Sequence, residues 1–83
     1  MITIYGKDGC SFCVKARELC EERNFKYKYL VMGVDYPRDH FFEIFPTAKT
    51  VPQIIINDEK IGGYVELLEY IENTAYTGTG YSL

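Results

Sequence analysis

The 83-residue sequence has no tryptophan, no long apolar run and no excess of positive charge. No window approaches the ~18 consecutive apolar residues of a transmembrane helix, so we expect no membrane association. Nine basic and 12 acidic residues give a net charge of −3 and are interspersed along the chain. A nucleic-acid partner is not expected either, because it would require a basic surface.

Chain length and cysteine count limit the class of protein further. At 83 residues, the chain suits one domain, 1–83, near the lower limit for a single apolar core. Met1 leads into a short apolar run without a basic segment, so no secretory leader is expected. Three cysteines make an odd number, unlike the even frameworks of small secreted domains. We therefore expect a cytoplasmic protein, since close cysteine pairs in reducing compartments are mostly catalytic or metal-binding.

Hydrophobic periodicity predicts seven elements in the order β-α-β-α-β-β-α. Strands are predicted at 2–5, 25–32, 51–58 and 60–63, and helices at about 11–23, 38–45 and 64–74. The first strand-helix-strand unit implies a parallel pair with a right-handed connection, and the later hairpin adds antiparallel strands. The predicted fold is a small mixed sheet with helices on its faces. The segment 75–83 shows no period and is expected to fray.

Cys10 and Cys13 lie three positions apart, between the first strand and the first helix. Three chemistries are open to such a pair: a zinc site, a structural disulfide and a redox centre. Zinc would need two more ligands, and Cys20 would lie about 10 Å beyond Cys13 along a helix. Zn–S bonds of ~2.3 Å cannot span that distance. His40 is the other candidate ligand, and the sequence has no second Cys-x-x-Cys pair, so a zinc site is a poor explanation. His40 is expected on the surface of the second helix.

Cys20 belongs to the apolar face predicted for the first helix. The residues expected on that face are Phe12, Val14, Ala16, Leu19 and Cys20. A disulfide between Cys20 and Cys13 is excluded, because bridged Cα atoms lie within ~7 Å. Cys20 is therefore predicted to be a small buried apolar residue. Asn24 is predicted to end the helix.

The position of Cys10 and Cys13 favours redox chemistry. At the first turn of a helix, their Cα atoms would lie near the ~5.5 Å that a disulfide prefers. Free N–H groups and the helix dipole at Cys10 stabilise a thiolate, the form that attacks disulfides, and Lys7 adds a nearby cation. Cys13, one turn inside, is predicted to be less exposed and to act as the resolving thiol. The alternative is a pair of unreactive residues at a helix start.

From Ile2 to about Glu72 the chain resembles the glutaredoxins. Four motifs carry the resemblance: IYGKDGC, CSFC, TVPQI at 50–54 and GGY at 62–64. Thioredoxin is the alternative within the same fold, but its Trp-Cys-Gly-Pro-Cys site needs a tryptophan. The resemblance implies an α/β thioredoxin-like fold, with a four-stranded mixed sheet flanked by three helices. It also implies a glutathione-dependent thiol-disulfide oxidoreductase in which Cys10 and Cys13 form the redox-active disulfide.

The resemblance implies a glutathione site as well. Pro52 matches the family's proline that follows a cis peptide bond, and such bonds are essentially confined to proline. The backbone of Thr50 and Val51 would pair with the cysteinyl part of glutathione, and Lys7 would lie near the carboxylate of its glycine end. Phe12 replaces a tyrosine common in the family and would cover the sulfur with an apolar ring.

The GGY motif would supply the other end of this site. Gly62 and Gly63 permit close approach of the backbone before the last helix. The N–H groups of Tyr64, Val65 and Glu66 would then receive the γ-glutamyl carboxylate, as helix N-termini receive anions. Val65 and Glu66 stand where many members have Thr-Asp, which leaves the contact of Glu66 with the glutathione amine open.

Ser11 departs from the family, which commonly has proline after the first cysteine. Some glutaredoxins with serine there hold a [2Fe-2S] cluster between two protomers, with glutathione as co-ligand. A dimeric cluster carrier or sensor is therefore the alternative to the enzyme, which is expected to be a monomer without a resident metal. A protein-interaction module with an incidental disulfide is a third hypothesis. The partners that the resemblance implies are disulfide-containing or glutathionylated proteins, with ribonucleotide reductase among the possible electron acceptors.

Overall fold

A computed structural model describes residues 1–76 and contains seven elements in the predicted order. They are β1 (Ile2–Gly6), α1 (Ser11–Glu22), β2 (Tyr27–Val31), α2 (Arg38–Ile44), β3 (Gln53–Ile56), β4 (Glu59–Gly62) and α3 (Tyr64–Thr74). Residues 77–83, most of the segment that is expected to fray, lie outside the described residues. Within residues 1–76, no helix combines the length and the apolar character that crossing a membrane would require.

The four strands form one mixed sheet in the order β2-β1-β3-β4. β1 runs parallel to β2, with α1 as the connection, and antiparallel to β3. β3 and β4 form an antiparallel hairpin whose turn residues, Asn57 and Asp58, have φ values of 50° and 68°. The prediction of a four-stranded mixed sheet flanked by three helices is confirmed.

The main core lies on the face of the sheet that α1 and α3 cover. It contains Ile2, Ile4, Ala16, Leu19, Cys20, Phe25, Ile54, Ile56, Leu67, Ile71 and Tyr76. The four strand isoleucines in this set are 0 % exposed, and burying each side chain contributes about 1.5–3 kcal/mol. A smaller cluster of Tyr36, Phe41 and Phe45 on the other face holds α2 against the sheet. The central strand β1 lies between these two cores, and its carboxyl end leads directly into the loop before α1.

The buried face of α1 differs in part from the predicted one. Phe12 is 51 % exposed and Val14 is 37 % exposed, whereas Cys13 is completely buried. An apolar face of a helix recurs every three to four residues. Cys13 occupies that spacing relative to Ala16 and Cys20, so its two neighbours in sequence point to either side. The predicted burial of Cys20 and helix end at Asn24 are confirmed, Asn24 having a φ of 57°.

Element bounds differ from the prediction at a few ends. β2 begins at Tyr27 rather than at 25, and β3 begins at Gln53, after the proline that cannot donate a ladder hydrogen bond. The expectation of fraying from residue 75 does not hold at Tyr76, which is only 8 % exposed. Its ring contacts Phe25 edge-on, with centroids 5.0 Å apart. An aromatic residue just beyond α3 therefore completes the core near the opposite end of α1 from Cys10.

Candidate active site

Cys10 and Cys13 form a disulfide at the start of α1, with their Cα atoms 5.2 Å apart. Cys10 is the N-cap residue, with extended backbone angles of φ −99° and ψ 107°. Its Sγ accepts a hydrogen bond from the Cys13 N–H at 3.2 Å. This is one of the N–H groups that a helix start leaves without a partner. The first turn of α1 is therefore aimed at the sulfur of Cys10, where it would stabilise negative charge.

The two sulfurs differ in their access to solvent. Cys10 is partly exposed, whereas Cys13 is 0 % exposed beneath it. A substrate can reach Cys10 but not Cys13 in this conformation. The predicted lower exposure of Cys13 is confirmed, and the assignment of Cys10 as the attacking residue and Cys13 as the resolving one stays a prediction.

The loop before β3 forms a second wall of the site. The Val51–Pro52 peptide bond is cis, as predicted. The carbonyl oxygen of Val51 lies 3.6 Å from Cys10 Sγ, and the carbonyl oxygen of Thr50 accepts a hydrogen bond from the Gln53 side chain at 3.0 Å. Backbone groups of this loop are thus within reach of a molecule bound to the sulfur of Cys10.

The start of α3 forms a third wall. Gly63 is its N-cap residue, and a Cβ placed on Gly63 would lie 3.5 Å from the Pro52 carbonyl oxygen. Gly62 has a φ of +118°, and a Cβ there would come within 2.8 Å of Glu66 Cγ. Gly63 therefore lies against the proline loop, whereas the lack of a side chain at Gly62 leaves room for Glu66. The Gly63 N–H donates to the Glu66 carboxylate at 2.7 Å, so Glu66 caps its own helix in this structure.

Aromatic and aliphatic side chains at the starts of α1 and α3 form an opening beside Cys10 that is at least partly exposed to solvent. The rings of Phe12 and Tyr64 have centroids 6.1 Å apart, and Val65 is 58 % exposed. The ammonium group of Lys15 lies 5.0 Å from the centroid of the Phe12 ring. Phe12 therefore lies between α1 and α3, beside the opening rather than in the core.

A groove of about 330 Å³ runs from Val51 toward α2. It is lined by Lys7, Met32, Arg38, Phe41, Phe42, Ala48, Lys49, Thr50 and Val51. Its floor is apolar, and three of its lining side chains are positively charged, which suits an anionic group. Sequence reasoning found Lys7 but missed Arg38 and Lys49. Lys49 directly precedes the TVP motif, and this adjacency is the one feature of the sequence that could have identified it.

The predicted site residues come from three distant segments of the chain, and the fold brings these segments to one end of the sheet. The segments are 7–13, 50–52 and 63–66. His40 is exposed on α2, as expected, with its ring 6.5 Å from that of Tyr36. Cys20 lies in the core and is a free thiol. Burial, followed by the nearby Glu21 carboxylate, raises the pKa of the Cys20 thiol to about 11, so it stays protonated at neutral pH.

Comparison with known proteins decides the family. The family model of the glutaredoxins matches residues 2–61 of the chain. The chain belongs to the glutaredoxin family. Glutaredoxin 1 of Escherichia coli K12 is 32% identical over 76 residues, covering 83% of this chain and 89% of that protein. Glutaredoxin 1 of Salmonella typhimurium LT2 is 36% identical over 67 residues, covering 72% of this chain and 77% of that protein.

Solved glutaredoxin structures have the same architecture. Glutaredoxin 1 from Francisella tularensis, complexed with cacodylate, matches with a TM-score of 0.74 and 32% identity over 87% of this chain and 92% of that one. A buckwheat glutaredoxin–glutathione complex matches with a TM-score of 0.67 over 87% of this chain and 68% of that one. Its identity of 19% makes this second likeness one of fold.

Glutaredoxins are thiol-disulfide oxidoreductases, and the Cys10–Cys13 pair of this glutaredoxin is its redox-active disulfide. The predicted family, thioredoxin-like fold and enzyme class are confirmed. The arrangement is suited to exchange chemistry because an accessible sulfur, stabilised by a helix start, lies against a buried second sulfur.

Proposed function

We propose that this glutaredoxin works in the cytoplasm as a monomer, and that it uses glutathione to reduce protein disulfides and glutathione mixed disulfides. The observation that carries the proposal is the environment of Cys10 Sγ. It accepts the Cys13 N–H at 3.2 Å and lies 3.6 Å from the Val51 carbonyl oxygen. The first contact stabilises a thiolate, and the second places backbone groups beside anything that is bound to the sulfur.

The reaction begins when the Cys10 thiolate attacks a substrate disulfide. A bond forms between Cys10 and one substrate sulfur, and the other substrate sulfur leaves with the electron pair. Cys13 then attacks Cys10, which releases the reduced substrate thiol and closes the Cys10–Cys13 disulfide. Two glutathione molecules reopen that disulfide and are themselves oxidised to glutathione disulfide. With a glutathionylated protein, Cys10 alone suffices, because it takes up the glutathionyl group and a second glutathione removes it.

Three features of the site support a place for glutathione beside Cys10. The Val51 backbone can pair with the cysteinyl part, and the cations Lys7, Arg38 and Lys49 line the groove that would receive the glycine carboxylate. The α3 start offers N–H groups to the γ-glutamyl carboxylate. The buckwheat relative, described as a glutathione complex, supports the proposal through the shared fold.

Glu66 places a negative charge at the γ-glutamyl end of the site. Its carboxylate is exposed and bonded to the Gly63 N–H at 2.7 Å. In that position it brings a negative charge to the region that would hold both the carboxylate and the amine of the γ-glutamyl group. We expect it to attract the amine through charge and to weaken the hold on the carboxylate.

The proposal is tested by a glutathione-coupled mixed-disulfide assay on the wild type and two variants. We expect Cys10→Ser to lose turnover entirely, because it removes the attacking sulfur. Cys13→Ser should retain reduction of a glutathionylated substrate and lose reduction of a protein disulfide. Turnover of glutathionylated substrate by Cys10→Ser would show that the nucleophile is wrongly assigned.

Ser11 favours a second candidate, a glutathione-ligated [2Fe-2S] carrier that forms a dimer. It is exposed beside Cys10, at the first position of α1. The absorbance spectrum and size of freshly purified anaerobic protein distinguish the two candidates. A colourless monomer supports the enzyme, and visible absorbance with a dimer supports the carrier. Ribonucleotide reductase is a proposed electron acceptor on family grounds alone.

A further inference from the structure

The buried position of Cys13 raises the question of where its proton goes. The resolving step requires Cys13 to lose a proton, yet its side chain is 0 % exposed. Burial disfavours the charged form of a thiol. Cys20, buried on the same helix, is an example, since burial and then the nearby Glu21 carboxylate raise the pKa of its thiol to about 11. A group that connects Cys13 with solvent would therefore accelerate the step.

The Tyr29 hydroxyl is the polar side-chain group that lies near the buried sulfur. Gly6 ends β1 directly beneath Cys13, and a Cβ placed on Gly6 marks the space behind the sulfur. The atoms nearest to that point, apart from Gly6 and its chain neighbours, are Cys13 Sγ at 3.0 Å, Cys13 Cβ at 3.1 Å and the Tyr29 hydroxyl oxygen at 3.4 Å. The buried sulfur and the hydroxyl therefore border the same space.

The position of Tyr29 on β2 explains why its hydroxyl reaches this space. Tyr29 is the register partner of Ile4 in the parallel pair, and its ring packs against the core beneath α1. The side chain is only partly buried, so it connects the core with the surface. The guanidinium carbon of Arg17 lies 4.9 Å from the centroid of its ring. That contact holds the ring in place and supplies a positive charge nearby.

We propose that the Tyr29 hydroxyl relays the proton between Cys13 and solvent when Cys13 enters or leaves the disulfide. As the disulfide closes, the thiol proton of Cys13 passes to the hydroxyl oxygen while the hydroxyl gives its own proton to water. The Cys13 sulfur bonds to Cys10 Sγ, and the substrate sulfur leaves with the electron pair and takes a proton from water. The relay runs in reverse on opening. This inference rests on the proposed roles of Cys10 and Cys13.

A relay makes a prediction that a structural role does not. It lowers the barrier in both directions, so its loss slows closing and opening by the same factor and leaves the redox equilibrium unchanged. General acid–base groups typically contribute a hundredfold or more. Tyr29 is only partly buried, so water can take the place of the lost hydroxyl in part. We therefore expect Tyr29→Phe to slow both directions about tenfold, which is below the usual range.

The closing step can be followed without glutathione by mixing the reduced protein with Ellman's reagent. Cys10 releases the first thionitrobenzoate, and attack by Cys13 releases the second. We expect the ratio of second-phase to first-phase rate constants to fall about tenfold in Tyr29→Phe. Opening is followed by reduction with dithiothreitol, and the equilibrium is measured in dithiothreitol redox buffers.

Tyr27→Phe is the matched control. Tyr27 lies two residues away on β2, and its hydroxyl donates to the Glu21 carboxylate at 2.8 Å on the protein surface. We expect this variant to keep the wild-type phase ratio. An unchanged ratio in Tyr29→Phe, or a redox equilibrium that shifts with the rates, would overturn the relay. A wild type without a second phase would instead contradict the assignment of Cys13 as the resolving thiol.

Discussion

At the scale of single residues, the site depends on one N–H group and on glycines at close contacts. The Cys13 N–H that reaches Cys10 Sγ belongs to the backbone, so among substitutions at position 13 only proline removes it. The glycines are different, since a side chain at Gly6 would meet Cys13 Sγ at 3.0 Å and one at Gly62 would meet Glu66 Cγ at 2.8 Å. Changing either glycine therefore moves a neighbour that belongs to the site.

Gly62→Ala tests the close contact at the start of α3. The φ of +118° disfavours alanine, and the new Cβ would come within 2.8 Å of Glu66 Cγ. Backbone strain of this kind costs about 1–3 kcal/mol, and displacement of Glu66 adds to it. We expect a loss in the free energy of unfolding toward the upper end of that range, together with weaker saturation by glutathione. Urea denaturation and glutathione kinetics measure the two effects.

Gly33→Ala is the control for that substitution. Gly33 also has a positive φ, +85°, but a Cβ there would meet nothing within 4 Å. It should lose stability through backbone strain alone and keep its glutathione kinetics. An equal loss in the two variants would mean that the contact with Glu66 contributes nothing.

At the scale of elements, three segments meet at the active site: the start of α1, the loop before β3 and the start of α3. Each of these segments contributes backbone groups to the site, whereas their side chains mainly line the groove and the opening. Lys49 lies on the loop between α2 and β3 and lines the basic groove with Lys7 and Arg38. Its charge is exposed, so its contribution to binding is that of one solvated ion pair.

Lys49→Gln should weaken glutathione binding while sparing the chemical step. An exposed ion pair contributes at most about 1 kcal/mol, which corresponds to about a fivefold rise in KM for glutathione. We expect kcat to change little, because Lys49 lines the groove away from the sulfurs. Lys28→Gln, on the exposed side of β2, is the control and should leave KM unchanged. If both variants gave the wild-type KM, the basic groove would not hold the glycine carboxylate.

At the scale of the whole molecule, the element order, the mixed sheet and the positions of Cys10, Pro52 and α3 could be predicted because local patterns determine them. The hydrophobic periodicity, the turn residues and the TVP and GGY motifs can each be recognised within a short stretch of sequence. The exposure of Phe12 and Val14 could not be predicted, since it depends on how α1 is rotated against the sheet.

The remaining misses are also long-range. Arg38 and Lys49 meet Lys7 only after α2 has folded back over the sheet. Contacts between residues so far apart in sequence produce no periodic pattern in the sequence. The sequence places Tyr29 in a predicted strand but assigns it no part in the chemistry. Only the folded position of Gly6 shows that its hydroxyl borders the buried sulfur.

The most direct test of the central claim, a reactive thiolate held by the start of α1, is the pH dependence of Cys10 alkylation. The reduced Cys13→Ser variant is treated with iodoacetamide at a series of pH values from about 5 to about 9. Mass spectrometry then identifies the modified cysteine. An ordinary thiol, titrating near ~8.5, loses about tenfold in rate for each pH unit below that value. We expect Cys10 to keep most of its plateau rate at pH ~6. A tenfold fall in rate between pH ~7 and ~6 would contradict the account.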